Sequence, residues 1–415
     1  MRVEMVQHPV GQGGLFRGEL LTKDNKRFCW VYDCGSKQLD DLTREIDGVA
    51  KGGKIDMLFL SHLHEDHICG VDKLLSQVKV DEVVLPYLQD EDEKLMIMVR
   101  DACRDPLSDT FIAALNDPSA WFGSRGVETI TFVDGQKKDG GSDGPILTDR
   151  DNGSEGIFFQ WTTEPRPTTL PSPPQASTGR RSKIQLVRYG SAVKLKGVPD
   201  WALIPYVSDL SNDSMSKFKN DLQETFGSLP DDKTIIEIAK NKEKLKMLRG
   251  CYKKIAYNKN LNYTTMTLFC GPSSSSNRTC MDLHAFIYKD LTRCRLLLSL
   301  TCNGSSNNIG GWMLTGDAYL ISKEPYKTSF LDFYKILLPL TNVLMLPHHG
   351  SKSNHSDLVL KAMPNLIVGY AAAGKNSYGH PHAKVKNAFN GSLFPLFHQV
   401  SDDSSSELSV VFHIP

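Results

Sequence analysis

The 415-residue sequence has no charge imbalance, with 48 Lys and Arg set against 48 Asp and Glu. No global field therefore draws it to nucleic acid or to a membrane surface. It has no apolar run long enough to span a bilayer. Its first residues, Met1-Arg2-Val3-Glu4, lack the apolar core of a signal peptide. Its nine cysteines are scattered with no Cys-x-x-Cys pair, which speaks against a disulfide framework and for reduced thiols in a cytosol. No internal repeat at a fixed short period is present. The expectation is a cytoplasmic protein with no membrane partner. Hydrophobic content of 40% and charged content of 23% are ordinary for a folded chain. The length suits two domains, or one large domain with insertions.

What the sequence does have is clustered histidine. Ser61-His62-Leu63-His64-Glu65-Asp66-His67 follows the apolar run Ile55-Asp56-Met57-Leu58-Phe59-Leu60, which reads as a short buried strand. Ile68 to Gln77 reads as a helix. In an extended chain residues two apart share a side, so His62 and His64 can reach one cation together. The turn re-aims Asp66 and His67 towards a second. A histidine taken singly is more often a surface or core residue; four ligand-type residues within six positions after a strand are a different matter. Eight of the twelve histidines fall in the windows 62–67 and 348–382, beyond the ends of apolar strands. Asp317 follows the run Trp312-Met313-Leu314-Thr315 in the same way, and a carboxylate there can bridge two cations. Imidazole and carboxylate are ligands that Zn²⁺ takes at about 2.0–2.2 Å. Mn²⁺ and Fe are tolerated by similar sites. Two cations about 3.5–4 Å apart clamp the attacking and leaving oxygens of a displacement, with a bridging hydroxide as nucleophile. Remaining histidines among His348, His349, His380 and His382 can then donate to developing charge or protonate a leaving group.

The rest of the chain frames this cluster. Phe28-Cys29-Trp30-Val31-Tyr32 is a buried-strand run within residues 1–35, which read as a hairpin or two strands. Asp33 closes it, either as a turn former before Gly35 or as a residue orienting a metal ligand from behind. Cys34 and Cys69 read as small packed residues. The acidic run Asp90-Glu91-Asp92-Glu93 reads as the first turn of a helix to about Cys103 and not as a metal site. An insertion is expected over about 135–260. It contains a Pro/Ser/Thr-rich loop over 162–183 and a basic segment with Arg180, Arg181, Lys183, Arg188, Lys194 and Lys196. Ile184 to Tyr189 and Ala192 to Leu195 read as a strand pair, and Thr234 to Ile255 as one lysine-rich helix. Those cations are either a solvated face or a surface that holds a polyanion near the metals. The insertion also offers a docking surface for a protein partner. Lys327 to Leu338 reads as an amphipathic helix.

His62-x-His64-x-Asp66-His67 after an apolar strand resembles the signature of the metallo-β-lactamase fold superfamily. Asp33-Cys34-Gly35 and Leu314-Thr315-Gly316-Asp317 resemble two more of its motifs. Leu346-Pro347-His348-His349-Gly350-Ser351 and Asn376-x-Tyr378-Gly379-His380-Pro381 resemble the hydrolase domain of the ComEC/Rec2 competence proteins. The resemblance implies an α/β fold, a four-layer αβ/βα sandwich spanning 1–415 with the insertion inside it. It implies two divalent metal ions, Zn²⁺ first, held by His62, His64, Asp66, His67, Asp317, His348 and His380. Asp66, His349 and His380 take the catalytic roles. Here the family's usual further histidine before the bridging aspartate has only His284 to offer. The implied activity is that of a phosphodiesterase or nuclease with nucleic acid as substrate. The alternatives are a small-molecule ester, thioester, lactone, lactam or cyclic-nucleotide hydrolase, and a metal-binding subunit of a multi-protein system such as a defence complex.

Overall fold

Alternation along single strands sets the layers. In the strand Arg27–Ser36, Phe28, Trp30 and Tyr32 enter one apolar core while Cys29 and Val31 enter another. In Gly311–Leu314, Trp312 and Leu314 join the first of these cores and Met313 joins a third. A strand with period two and apolar residues on both faces must lie between two covering layers. The computed structural model describes residues 1–86, 113–114, 117–135, 143–148, 159–168, 179–195, 198, 201–208, 212–255, 265–273, 282–288, 295–300, 310–320, 329–389 and 395–413. The expected helix at 90–103 and positions 169–178 of the Pro/Ser/Thr-rich stretch lie outside these residues.

In chain order the strands are β1 (Arg2–Gln7), β2 (Gly13–Leu21), β3 (Arg27–Ser36), β4 (Ile55–Phe59), β5 (Val80–Pro86), β6 (Thr129–Val133), β7 (Phe159–Trp161), β8 (Arg166–Pro167), β9 (Lys183–Val187), β10 (Val193–Leu195), β11 (Trp201–Tyr206), β12 (Thr267–Pro272), β13 (Asp282–Tyr288), β14 (Arg295–Leu300), β15 (Gly311–Leu314), β16 (Thr341–Met345), β17 (Val368–Ala372), β18 (Leu396–Val400) and β19 (Leu408–His413). They form two mixed sheets among the described residues. One has the order β14-β13-β19-β1-β2-β3-β4-β5-β6-β9-β8 and the other β18-β17-β16-β15-β12-β11-β10-β7. The sheets face each other across the core that holds Trp30, Phe59, Trp312 and Tyr370. Helices Leu39–Lys51, Val71–Gln77, Asn212–Phe226, Asp232–Lys240 and Lys242–Ile255 cover the first sheet, while Ser329–Phe333, Asp357–Lys361 and Ala383–Asn387 cover the second. This is the four-layer αβ/βα sandwich that the resemblance implied. Within it β3, β4, β5, β6 and β9 run parallel, as do β15 to β18. The loops after both parallel sets meet at one edge of the sandwich.

Several local expectations change. Residues 1–35 hold three strands, not two. The stretches 184–189 and 192–195 do not pair. β9 joins the first sheet and β10 the second, and Gly190 (φ 81°) turns the chain across the gap. The span 135–260 thus supplies strands to both sheets. The helix expected over 234–255 is broken at Asn241, whose Oδ1 accepts from the backbone N–H groups of Glu243 and Lys244 at 3.1 Å and caps the second helix. Of the helix expected over 327–338, the described residues form Ser329–Phe333, which ends before 338 and is followed by a 3₁₀ turn at Leu338–Leu340. Helix Asn212–Phe226 had no counterpart in the sequence reading. Among the described residues no helix is long and apolar enough to cross a membrane.

Candidate metal centre

Two groups of buried side chains gather at the shared edge: His62, His64 and Asp317, and beside them Asp66, His67 and His349. The first sheet supplies His62 and His64 from the loop after β4, and Asp66 and His67 from the helical turn Glu65–Ile68. The second supplies Asp317 after β15 and His349 after β16. The Asp317 carboxylate lies between the groups. Its Oδ1 is 3.3 Å from His67 Nε2 and 3.6 Å from His349 Nε2. Its Oδ2 is 3.8 Å from His62 Nε2 and 3.5 Å from His348 Nε2. His349 Nε2 also lies 3.4 Å from Asp66 Oδ2.

His62, His67, His348 and His349 are each held from the far side of the ring. His67 Nδ1 donates to Asp33 Oδ2 at 2.8 Å, and His349 Nδ1 to the Ala372 carbonyl at 2.7 Å. Ser61 donates its backbone N–H to Asp33 Oδ1 at 2.7 Å and its hydroxyl to Oδ2 at 2.8 Å. Its hydroxyl oxygen then accepts from His62 Nδ1 at 2.8 Å. His348 Nδ1 donates to Asn354 Oδ1 at 3.2 Å, and Asn354 Nδ2 donates to the carbonyls of Asp317 and Ala318. These acceptors set the tautomers, placing the proton on Nδ1 and the lone pair on Nε2. The Nε2 atoms of His67 and His349 are buried with no hydrogen-bond partner among the described residues. Inward lone pairs beside buried carboxylates are the donor set of a Zn²⁺-type centre with its outer support in place, so the residues fit divalent cations.

The buried charges at this edge act strongly on one another. Burial alone would raise the Asp66 carboxyl, but the adjacent His349 and the charge of His67 hold it far below the usual carboxylate range. Burial likewise opposes ionisation of Asp317, and His348 and His67 overcome it. Burial would lower His67, but Asp33 and Asp317 push it well up.

Backbone irregularities aim these groups. The β2–β3 register passes from Phe16↔Tyr32 to Leu15↔Cys34, so Asp33 is the extra residue of a bulge, with φ 58°. A bulge re-aims one side chain, here towards Ser61 and His67. Gly35 has no room for a side chain, since a Cβ would sit 2.5 Å from the carbonyl carbon of His67. His348 and His349 both take left-handed backbone (φ 49° and 56°), so the two adjacent rings part. His349 turns into the closed group, whereas the His348 side chain is 20% exposed and stands 5.2 Å from the His380 ring, centroid to centroid. The expectation had these two the other way round, His348 as ligand and His349 as the free acid or base. His380 is in neither group among the described residues. His382 is not at the centre but caps helix Ala383–Asn387, its Nδ1 accepting from the Lys384 N–H at 3.1 Å. Cys34 is buried, and the Cys69 thiol, bonded to the Ser36 carbonyl, is pushed up to about 11 by burial, so both are packed residues. His284 lies in β13, paired with Val411, near the far side of the first sheet. The sequence reading gave no role to Ser61 or Asn354. Ser61, directly before His62, is a signal that adjacency offered; Asn354 had none.

Residues 21–180 match the family model described as the metallo-beta-lactamase superfamily. That span includes Asp33 and the 62–67 cluster; Asp317, His348 and His349 lie beyond it. Among solved structures the chain is similar to MEM-A1, a subclass B3 metallo-beta-lactamase isolated from a soil metagenome library. The identity is 12%, 95% of this chain and 87% of that chain are covered, and the TM-score is 0.27. At that score no residue is carried across. No curated protein matches the chain.

Proposed function

We propose that this chain, whose residues 21–180 match the metallo-beta-lactamase superfamily model, is a divalent-metal hydrolase acting on the phosphodiester bonds of nucleic acid. The observation that carries the metal chemistry is the Asp317 carboxylate, whose two oxygens turn to different imidazole pairs. His62, His64 and Asp317 would hold one cation. Asp66, His67, His349 and the other oxygen of Asp317 would hold the second. When bound, such a pair supplies Lewis acidity and makes water nucleophilic near neutral pH. Asp33 fixes His67 by its Nδ1 proton, and Ser61 does the same for His62. His380, beside His348 on the more open side, would offer a ring N–H to an anionic substrate oxygen and a proton to the departing one.

The preference for phosphodiesters is supported by the likeness of 346–351 and 376–381 to the ComEC/Rec2 hydrolase domain. The five described cysteines are free thiols, in keeping with a cytoplasmic setting. The test is incubation of purified protein with labelled DNA and RNA and either Zn²⁺ or Mn²⁺, with bound metal measured in the same samples. Cleavage is expected. Fully loaded protein that cuts neither, yet turns over lactone, lactam or thioester chromogens, would retain the hydrolase and remove the nucleic acid.

A further inference from the structure

The edge that carries the metal ligands continues sideways into a cleft. In the first sheet β6 and β9 lie two and three strands beyond β4, parallel to it. Their ends, at Asp134 and Arg188, therefore open at the same edge as His62. At a strand spacing of about 4.8 Å they stand roughly 10 and 14 Å along it. In the second sheet Trp161 pairs with Val193, and Thr162 leaves β7 at that same edge. Beside these strand ends, at the β9–β8 margin of the first sheet, lies a cavity of about 510 Å³, lined by Asp134, Thr162, Glu164, Arg166, Leu186 and Arg188 among others.

The charges in this cleft are selective. Of the basic side chains expected to meet a polyanion, several are held within the protein. Arg181 pairs with Asp117 at 2.7 Å, Lys254 pairs with Asp221 at 2.7 Å, and Lys194 donates to the Leu147 carbonyl at 3.0 Å. Arg166 and Arg188 are exposed and form no ion pair among the described residues. A guanidinium fork matches two phosphate oxygens at once. Asp134 and Glu164, each with contacts of its own, would repel a plain polyanion but accept from amino and hydroxyl groups. A nucleotide unit carries both kinds of group: anionic oxygens for the arginines and donors for the carboxylates.

We propose that this cleft is a secondary binding site for the nucleic acid chain, holding a nucleotide several positions from the bond at the metal centre. With about 3.4 Å per nucleotide along a strand, Arg188 would meet a phosphate about four nucleotides away. The proposal rests on the nucleic-acid reading of the metal centre. Its test is the R166Q/R188Q double variant in metal-loaded protein, both side chains being on the surface. Fluorescence anisotropy reads binding of a labelled 12-nucleotide single strand with phosphorothioate linkages and of a dinucleotide. Turnover of bis(p-nitrophenyl) phosphate, too short to reach the cleft, reads the metal centre. The expected result is an approximately tenfold weaker 12-mer, an unchanged dinucleotide and unchanged turnover. The salt dependence of 12-mer binding should fall by about 0.7 in log–log slope for each lost phosphate contact. A double variant that binds the 12-mer as wild type does overturns the cleft and leaves the metal-centre reading intact. A loss of turnover in step with binding also overturns it, because the arginines would then act at the metals. Wild-type protein that cleaves no phosphodiester, but still needs the two arginines to bind the 12-mer, removes the nuclease reading and supports the cleft.

Discussion

Asp33 stands where the β2–β3 ladder slips by one residue, and the slip turns its carboxylate towards Ser61 and His67. An amide in its place would present an N–H to His67 Nδ1 and favour the wrong tautomer, with a proton on Nε2. D33N is expected to lower metal affinity by about 10–100-fold, the usual penalty for losing a supporting partner, in a chelator-competition titration. Unchanged affinity would mean that His67 does not bind through Nε2. A second residue-scale prediction concerns Glu82. It is buried between the sheets, accepts from Thr131 Oγ1 and from Trp161 Nε1, and is pushed up by burial. The folded state therefore holds its proton more tightly than the unfolded state does. The resulting stabilisation is complete below the ordinary Glu range and is lost as pH rises through the raised folded value. E82Q keeps the acceptor oxygen without the titration. Its urea midpoint should match wild type in acid and exceed it at neutral pH; parallel pH profiles for the two proteins would contradict this.

Elements were legible where a single face or a single run decides them. β3, β4, β15 and β16 follow from their apolar runs, and the ligand loops were placed by the runs that precede them. The sequence could not say which sheet a strand joins. Residues 184–189 and 192–195 look like a hairpin because period two reports a face, not a partner, and the crossing at Gly190 depends on both sheets being present. The break at Asn241 was hidden because good helix formers flank it on both sides. Likewise His348 and His349 are equivalent in sequence, and only their left-handed backbone separates them. The turn after β15 permits a test at this scale. Gly316 has φ 49°, and a Cβ there would lie 2.8 Å from Ser61 Oγ and 2.9 Å from Tyr32 Oη. G316A is expected to destabilise the fold by about 1–3 kcal/mol through backbone strain and, by displacing Ser61, to weaken metal binding. Urea melts and chelator competition read the two effects separately.

For the molecule as a whole, the metal centre draws on both sheets, with 62–67 from one and 317–349 from the other. A bound metal would therefore cross-link the halves as well as serve the reaction. A ligand that binds only the native state at about 100 times its Kd stabilises by about 2.7 kcal/mol. Tm should climb with added Zn²⁺ in wild type and stay nearly flat in D317A, which lacks the shared carboxylate. An equal climb in both would place the stabilising ion elsewhere. The inter-sheet packing is a separate support: Trp30 and Trp312 are fully buried, and truncating either to Ala should remove about 3–5 kcal/mol with or without metal.

β19 lies between β13 and β1, with Phe412 facing Val3 on one side and Leu283 on the other. It is synthesised after every other strand named above, yet it fills a slot well inside the first sheet. While the ribosome is still at work on residues 408–413, β1 must wait with one flank unzipped, open to chaperones or to a neighbouring nascent chain. Closure of this last seam is the step at which folding should be slowest and aggregation most readily begun.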